Sequence, residues 1–470
     1  MHQTFSIKNP VLYDLINNLS RGNIRPKFVA MKQPLLVVSD GNGSIFEIPD
    51  YYMCGMSGTA TYPIAENDII PLPYGSDLFE LPGRAAIGFD PNKKEFVEVR
   101  EYQGNRVYPV AAFMAPAHLQ IFRSAFGKED DSPRLPLYNY AAVGWMNDDF
   151  CVAGIRTDQD IRQDLHLFNS NFIENEGKKL LIKYPKNRLV HHLVENCALR
   201  YRCPAARNFT LGRWECPIPT SPGCNSACVG CISEQPIENE IVSPQDRIEF
   251  IPTADEIVQF TVPHLENAPR AVVSFGQGCE GEPLLAGEVL VEAVREIRKR
   301  TDKGIINLNT NASRPDVIER LCQAGLDSIR ASINSAQQKY YDSYYNPRHY
   351  TFDHVIESLK IMRKNDRWAS INYLTFPGLT DHPQEIAALE KLISEVKINM
   401  IQTRNLNIDP DWYLDELSLR DLEQEQIGMR NWVSRIREKY PWIKLGYFNP
   451  PKEELELVEF SNRKSGNSKK

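Results

Sequence analysis

From about residue 206 to residue 452 the chain alternates between strand-like and helix-like runs, and this rhythm leaves few folds open to it. WECPIPTSP reads as the first strand. VVSFGQG (Val272 to Gly278), IINLNTN, SIRASIN, SINYLTF, MIQTRNLNI and IKLGYF follow. Between them apolar residues recur at helical spacing, as in Val289, Leu290, Ala293, Val294 and Ile297, or Ile386, Leu389, Leu392, Ile393 and Val396. Ser313 with Asp316 reads as the cap of one helix. Asp381 and Pro383 start another, and a long helix is expected from about Leu419 to Lys439. Strands that alternate with helices pair in parallel through crossover connections. The span is close to the ~250 residues of a β/α barrel. The expected class is therefore α/β, with a parallel β/α barrel, partial or full and TIM-like, over residues 206–452.

Residues 1–205 read differently. LLVV (Leu35 to Val38) and SIFEI (Ser44 to Ile48) flank a DGNG turn, and FDPNKKEFVEV repeats the hairpin pattern. PVAAFMAP reads as a buried strand, and Val11 to Leu19 as a short helix stopped by Gly22. From Asp160 to Tyr201 the spacing turns helical, as in Leu189, Val190, Leu193, Val194 and Cys197. These residues form an expected N-terminal α+β domain with a helical connector, suited to docking a substrate or partner or to closing over a site. The polar tail, residues 453–470, is expected to be disordered.

The net charge of −7 gives no general field for a polyanion, so nucleic acid is an unfavoured partner. No apolar run approaches the ~20 residues of a membrane helix, and MHQTFSIKNP has no secretory pattern. The expected compartment is the cytoplasm. Ten cysteines in such a chain point to metal or redox use rather than to a disulfide framework.

Three of them, Cys224, Cys228 and Cys231, form a C-x3-C-x2-C run just after the first strand. A structural zinc site takes four protein ligands. Three thiolates on one short loop instead suit three irons of a [4Fe–4S] cluster, leaving the fourth open. In a β/α barrel, loops after the strands carry the chemistry. The second strand runs into GCEGEPLL, the third ends in Asn309 and Asn311, and the fourth places Arg330, Ser332 and Asn334 on one face. The fifth carries Asn372, and the sixth Gln402, Arg404 and Asn405. Polar side chains inside successive strands are costly unless something satisfies them.

The cysteine run, then GEP, NTNA, SIRASINS and FPGLTD in that order, resembles the radical S-adenosylmethionine (SAM) superfamily over roughly residues 214–450. The resemblance implies an enzyme in which Cys224, Cys228 and Cys231 hold the cluster and SAM chelates the open iron. Reduction would cleave SAM to methionine and a 5′-deoxyadenosyl radical that abstracts hydrogen from substrate. It implies that Gly281 and Glu282 hold the methionine amino group. Asn311, Ser332 and Asn334 would be candidates for the methionine and ribose contacts, with Arg404 or Asn405 near adenosine or substrate. A flavodoxin- or ferredoxin-type donor would supply the electron.

Two positions depart from the family pattern: Gly230 replaces the usual aromatic residue, and Glu280 replaces a glycine. Cys279 beside it reads as a turn-filling thiol, or as a catalytic hydrogen donor or nucleophile. Cys197, Cys203 and Cys216 have spacings that match no compact metal motif and read as ordinary thiols. No cysteine follows Cys322, so no C-terminal auxiliary-cluster extension or methyl-carrying cysteine is expected, which sets RNA methylation low. His191 and His192 read as solvent or packing residues, and the run YYDSYYNPRHY as loop packing ahead of a substrate mouth. The favoured substrate is a peptide or protein side chain, with a small metabolite or cofactor precursor next. A non-catalytic iron–sulfur or zinc-binding module is the reading from another class.

Overall fold

The structure is a computed structural model that describes residues 33–455. The expected helix at Val11 to Leu19 and the tail from 456 onward lie outside these residues. The chain divides into two compact units.

The first unit comprises residues 33–113, 120–133 and 140–155. It is built on antiparallel strands of a 13-stranded sheet. The first hairpin pairs Val38 with Phe46 and Ser39 with Ile45. Its turn forms because the Asp40 carboxylate accepts the amides of Asn42 and Ser44 at 2.8 and 3.0 Å, while Gly41 and Gly43 take positive φ. Arg84–Asp90 and Glu95–Val99 make the second hairpin. Leu36, Val38, Ile48, Ala86, Val99 and Val107 form its core. Among the described residues this unit is sheet-rich and contains no α-helix, and the described helices expected before residue 206 fall in the connector, which belongs to the second unit. The period-two patterning runs through it to Ile155, and the helical spacing begins only beyond.

The second unit comprises residues 114–119, 134–139 and 156–455, and so includes the helical connector. The connector holds helices Ser170–Lys183, Arg188–His191 and Pro204–Thr210. The second continues as a π-helix over His192–Arg200. Seven strands then follow: β1 (Glu215–Ile218), β2 (Val272–Phe275), β3 (Ile305–Thr310), β4 (Ser328–Ile333), β5 (Trp368–Thr375), β6 (Met400–Asn405) and β7 (Lys444–Gly446). They pair in sequential order, all parallel. The helices between them are α1 (Ala254–Asn267), α2 (Gly287–Arg300), α3 (Pro315–Ala324), α4 (Gln338–Tyr345), α5 (Phe352–Lys364), α6 (Pro383–Val396), α7 (Pro410–Glu416) and α8 (Met429–Lys439).

Each large helix presents an apolar stripe to the sheet. Leu290, Val294 and Ile297 of α2 are fully buried, and such a side chain contributes about 1.5–3 kcal/mol on leaving water. The α1 start is a capping box of Thr253 and Glu256. Two boundaries differ from expectation. The helix expected from Leu419 begins at Met429, because Gly428 takes φ 87° and its amide is held by the Asp381 carboxylate at 3.1 Å. Ser313 does not cap α3, which starts at Pro315 after Arg314; its hydroxyl accepts Asn225 Nδ2 at 3.0 Å instead. Among the described residues no helix is long and apolar enough to cross a membrane.

Candidate active site

The cysteine loop leaves β1 and is clamped from two sides. On one side, the backbone of the loop after β2 pairs with it: Gly281 N donates to Ser221 O at 2.7 Å and Glu282 N to Gly223 O at 2.8 Å. A Cβ on Gly281 would meet the Gly223 oxygen at 2.0 Å, so this approach requires glycine. Gly281→Ala is expected to lose about 1–3 kcal/mol of stability by forcing the two loops apart. Chemical denaturation checks this, and an unchanged midpoint would show that the approach is not tight.

On the other side lies α4. Ala227 N donates to Tyr345 O at 3.0 Å and Val229 N to Tyr344 O at 2.9 Å. Tyr340, Tyr341, Tyr344, Tyr345 and Tyr350 are buried, with Tyr341 stacked on Tyr345 and Tyr350 bonded to the Ser226 hydroxyl at 2.7 Å. The tyrosine run therefore packs the cysteine loop. Gly230 is fitted to the same surface, since a Cβ there would meet the Tyr344 hydroxyl at 2.7 Å.

The three thiols are partly buried and electrostatically coupled. Burial, then the Glu282 charge, pushes Cys224 up to about 11. Burial and the neighbouring Cys231 and Cys224 hold Cys228 well above the usual thiol range. Arg247 reaches the Cys231 sulfur at 3.7 Å through Nη2 and Ser233 at 3.3 Å through Nε. Three soft thiolates brought together beside a cation are a donor set that fits an iron–sulfur cluster.

The two glutamates differ in task. Glu280 is buried, and its carboxylate accepts the amides of Thr220 (2.7 Å), Ser221 (3.0 Å) and Gln277 (2.6 Å). It ties the β1 and β2 loops together, and burial pushes it up to about 8. Glu282 accepts Leu284 N at 2.9 Å, Asn311 N at 2.8 Å and the Thr310 hydroxyl, and burial pushes it up to about 7.

The other expected ligand residues fall in different places. Asn311 is engaged with the cysteine loop, donating to Asn225 Oδ1 at 2.7 Å and Ser226 Oγ at 3.1 Å. Asn334 is fully buried and donates to Tyr340 O and Tyr413 OH, so it braces α4. Ser332 accepts Asn372 Nδ2 from the neighbouring strand at 3.3 Å. Asn405 donates to His118 O at 3.0 Å. Cys279 is 4% exposed, with its sulfur 3.5 Å from that of Cys197 and its pKa held high by that contact and by burial. It does not line the cavity described next.

A polar cavity of about 70 Å³ is lined by residues of β1, β2, β3, β4 and β6, with Gln163 and Tyr447 to Asn449. Arg330 and Arg404 enter it from β4 and β6. Among the described residues neither side chain has a hydrogen bond or ion pair, and both Nε atoms are buried and unsatisfied. Arg404 lies 4.6 Å over the Tyr447 ring. Burial, then the Arg404 charge, pushes Arg330 down to about 9. Glu215 also lines the cavity, but its oxygens already take Gln163 and Asn208. The two arginines sat in the polar strand pattern, and their shared cavity followed only from strand order.

The family model of the radical SAM superfamily matches residues 218–389. This is a radical SAM domain. Radical SAM proteins are enzymes that use a [4Fe–4S] cluster and SAM. Solved structures that the chain matches include native anSMEcpe with bound AdoMet (19% identity, TM-score 0.31, 40% of this chain and 50% of that one). Methylornithine synthase, PylB, is another (14%, 0.35, 59% and 77%). A third is Streptococcus suis SuiB bound to the precursor peptide SuiA (16%, 0.34, 51% and 52%). The first of these matches spans only half of that chain's length. No curated protein sequence matches the chain.

Proposed function

We propose that this radical SAM enzyme acts on a substrate carrying a carboxylate or phosphate, which the arginine pair in the cavity binds. The observation that carries this reading is the presence of two neighbouring guanidinium groups, each without a protein acceptor among the described residues, in one polar cavity. Such an arrangement is unfavourable until an anion enters, and a planar guanidinium suits bidentate binding of either group.

In this reading the seven strands curve as a partial β/α barrel around the cavity. Cys224, Cys228 and Cys231 hold the [4Fe–4S] cluster, and Gly281 and Glu282 face the methionine amino group. Ser332 is the ribose contact. When bound, the cluster and SAM supply, on reduction by one electron, methionine and a 5′-deoxyadenosyl radical that takes a hydrogen atom from substrate. A flavodoxin- or ferredoxin-type protein delivers that electron. Arg330 and Arg404 orient the substrate, and the polar strand residues around them hold its remaining groups.

The substrate we favour is a peptide or protein presenting one acidic side chain or a terminal carboxylate. A free acidic metabolite satisfies the same cations. Candidates deuterated at the reacting carbon separate these choices, because only the true substrate transfers its label into 5′-deoxyadenosine. If only substrates without an acidic group transfer label, the reading fails. Glu282→Ala is expected to weaken SAM binding by about 10–100-fold, the loss of a charged hydrogen bond. Its iron content should stay unchanged, and loss of iron there would place Glu282 in the cluster instead.

A further inference from the structure

The geometry points to a second metal site, made by His192, Cys197 and Cys279, that takes a thiophilic divalent cation of the zinc class. One ligand atom from each residue lies within 4.8 Å of the other two. The two sulfurs are 3.5 Å apart. Zinc–sulfur bonds of about 2.3 Å in a tetrahedron put two sulfurs about 3.7 Å apart. Thiolates bound to different irons of a cube stand farther apart than thiolates that share one ion, so this spacing selects a single ion. Cys197 and Cys279 are 3% and 4% exposed, which also suits a closed site.

The backbone gives independent support. His192 and Cys197 are five residues apart. In an α-helix, five residues on is about 140° around the axis, so the two side chains would point apart. In a π-helix the i and i+5 positions are bonded and lie on one face. The π-helix spans His192–Arg200, and it brings Cys197 around beneath His192. Neighbouring His191 instead faces Glu195. Nine residues of an unfavourable helix need a reason, and π turns often mark functional sites. His192 Nε2 is buried without a hydrogen-bond partner among the described residues. The Asn196 side-chain amide faces Nδ1 at 3.3 Å, and turned so that its oxygen accepts Nδ1–H it leaves Nε2 unprotonated and able to ligate.

Binding replaces two thiol protons by one dication, so the buried site remains neutral: zinc(II) plus two thiols and one imidazole gives the complex and two protons. Affinity therefore rises with pH. The site joins the connector to the loop two residues before Gly281, and it stands whether or not the substrate reading holds.

The test counts iron and zinc together in the full chain, purified anaerobically with its cluster. One zinc per chain is expected beside the iron. Cys197→Ser and His192→Ala should each lower zinc at least tenfold and leave iron unchanged. To remove competing thiols, C224A/C228A/C231A is titrated with cobalt(II), and one equivalent should give the intense visible bands of tetrahedral thiolate ligation. Zinc unchanged in both single variants would overturn the site. So would a Cys197–Cys279 disulfide in the metal-free protein after rapid alkylation, since that would make the pair a redox couple.

Discussion

Cys228→Ala is expected to abolish the release of 5′-deoxyadenosine under reducing conditions, with a residual rate at least 10³-fold below the wild type. Three thiolates are the minimum that holds a cube at three corners, and the loop offers no spare. Cys228 is the thiol whose neighbours on the loop both bear on it electrostatically. The loss should be chemical rather than structural. The loop is held mainly by its backbone, through Ala227 N to Tyr345 O, Val229 N to Tyr344 O and Cys231 N to Cys228 O. None of these bonds needs the Cys228 sulfur. The variant should keep wild-type far-ultraviolet dichroism and lose the brown colour and most of its iron. It should also lose the paramagnetic signal that SAM shifts in the reduced wild-type enzyme. A Cys228→Ala protein that retains the cluster and still cleaves SAM would refute the assignment of these thiols.

Much of the second unit was legible because its signals are local. Strand and helix periods alternate, and each strand expected after residue 206 is present in order. The cysteine run is contiguous, so its chemistry was visible without a fold. What could not be read depends on distant pairing. Ser313 carries a helix-cap pattern, yet its hydroxyl serves Asn225, 88 residues away. Glu280 lies in a motif that suggests ligand binding, but it is consumed by three amides of its own loops. Residues 419–428 have helical composition, and Asp381 holds Gly428 in a conformation that breaks the run. The approach of His192 to Cys197 was not visible, because five residues of α-helix would turn the two apart and the segment is a π-helix. In the first unit the hairpin turns were legible from Asp40 and Asp90, whereas the full strand order was not.

Arg330→Met is expected to lower product formation by about 10²–10³-fold, while SAM cleavage in the absence of substrate continues. A guanidinium that binds an anionic group through two N–H donors contributes about 3–4 kcal/mol, since each charged hydrogen bond is worth about 1.5–3. That energy converts to the stated factor. It should fall on substrate KM and on coupling, with little change in SAM affinity. Stability should move the other way. The Arg330 pKa is pushed down from the usual arginine range to about 9, first by burial and then by Arg404. The unfolded chain therefore binds its proton more tightly than the folded one. Stability from this group rises with pH only above about 9, up to the pKa of the unfolded chain, and at pH 7 the fold carries the whole penalty. Methionine removes the charge and keeps most of the volume, so the variant should melt at a higher temperature than the wild type. Arg330→Lys should retain the penalty and lose the two-pronged contact, giving reduced activity with no gain in stability. If Arg330→Met melts lower and its SAM binding fails as well, the arginine is a structural support. Reduced activity together with raised stability is the signature of a site kept strained for its ligand.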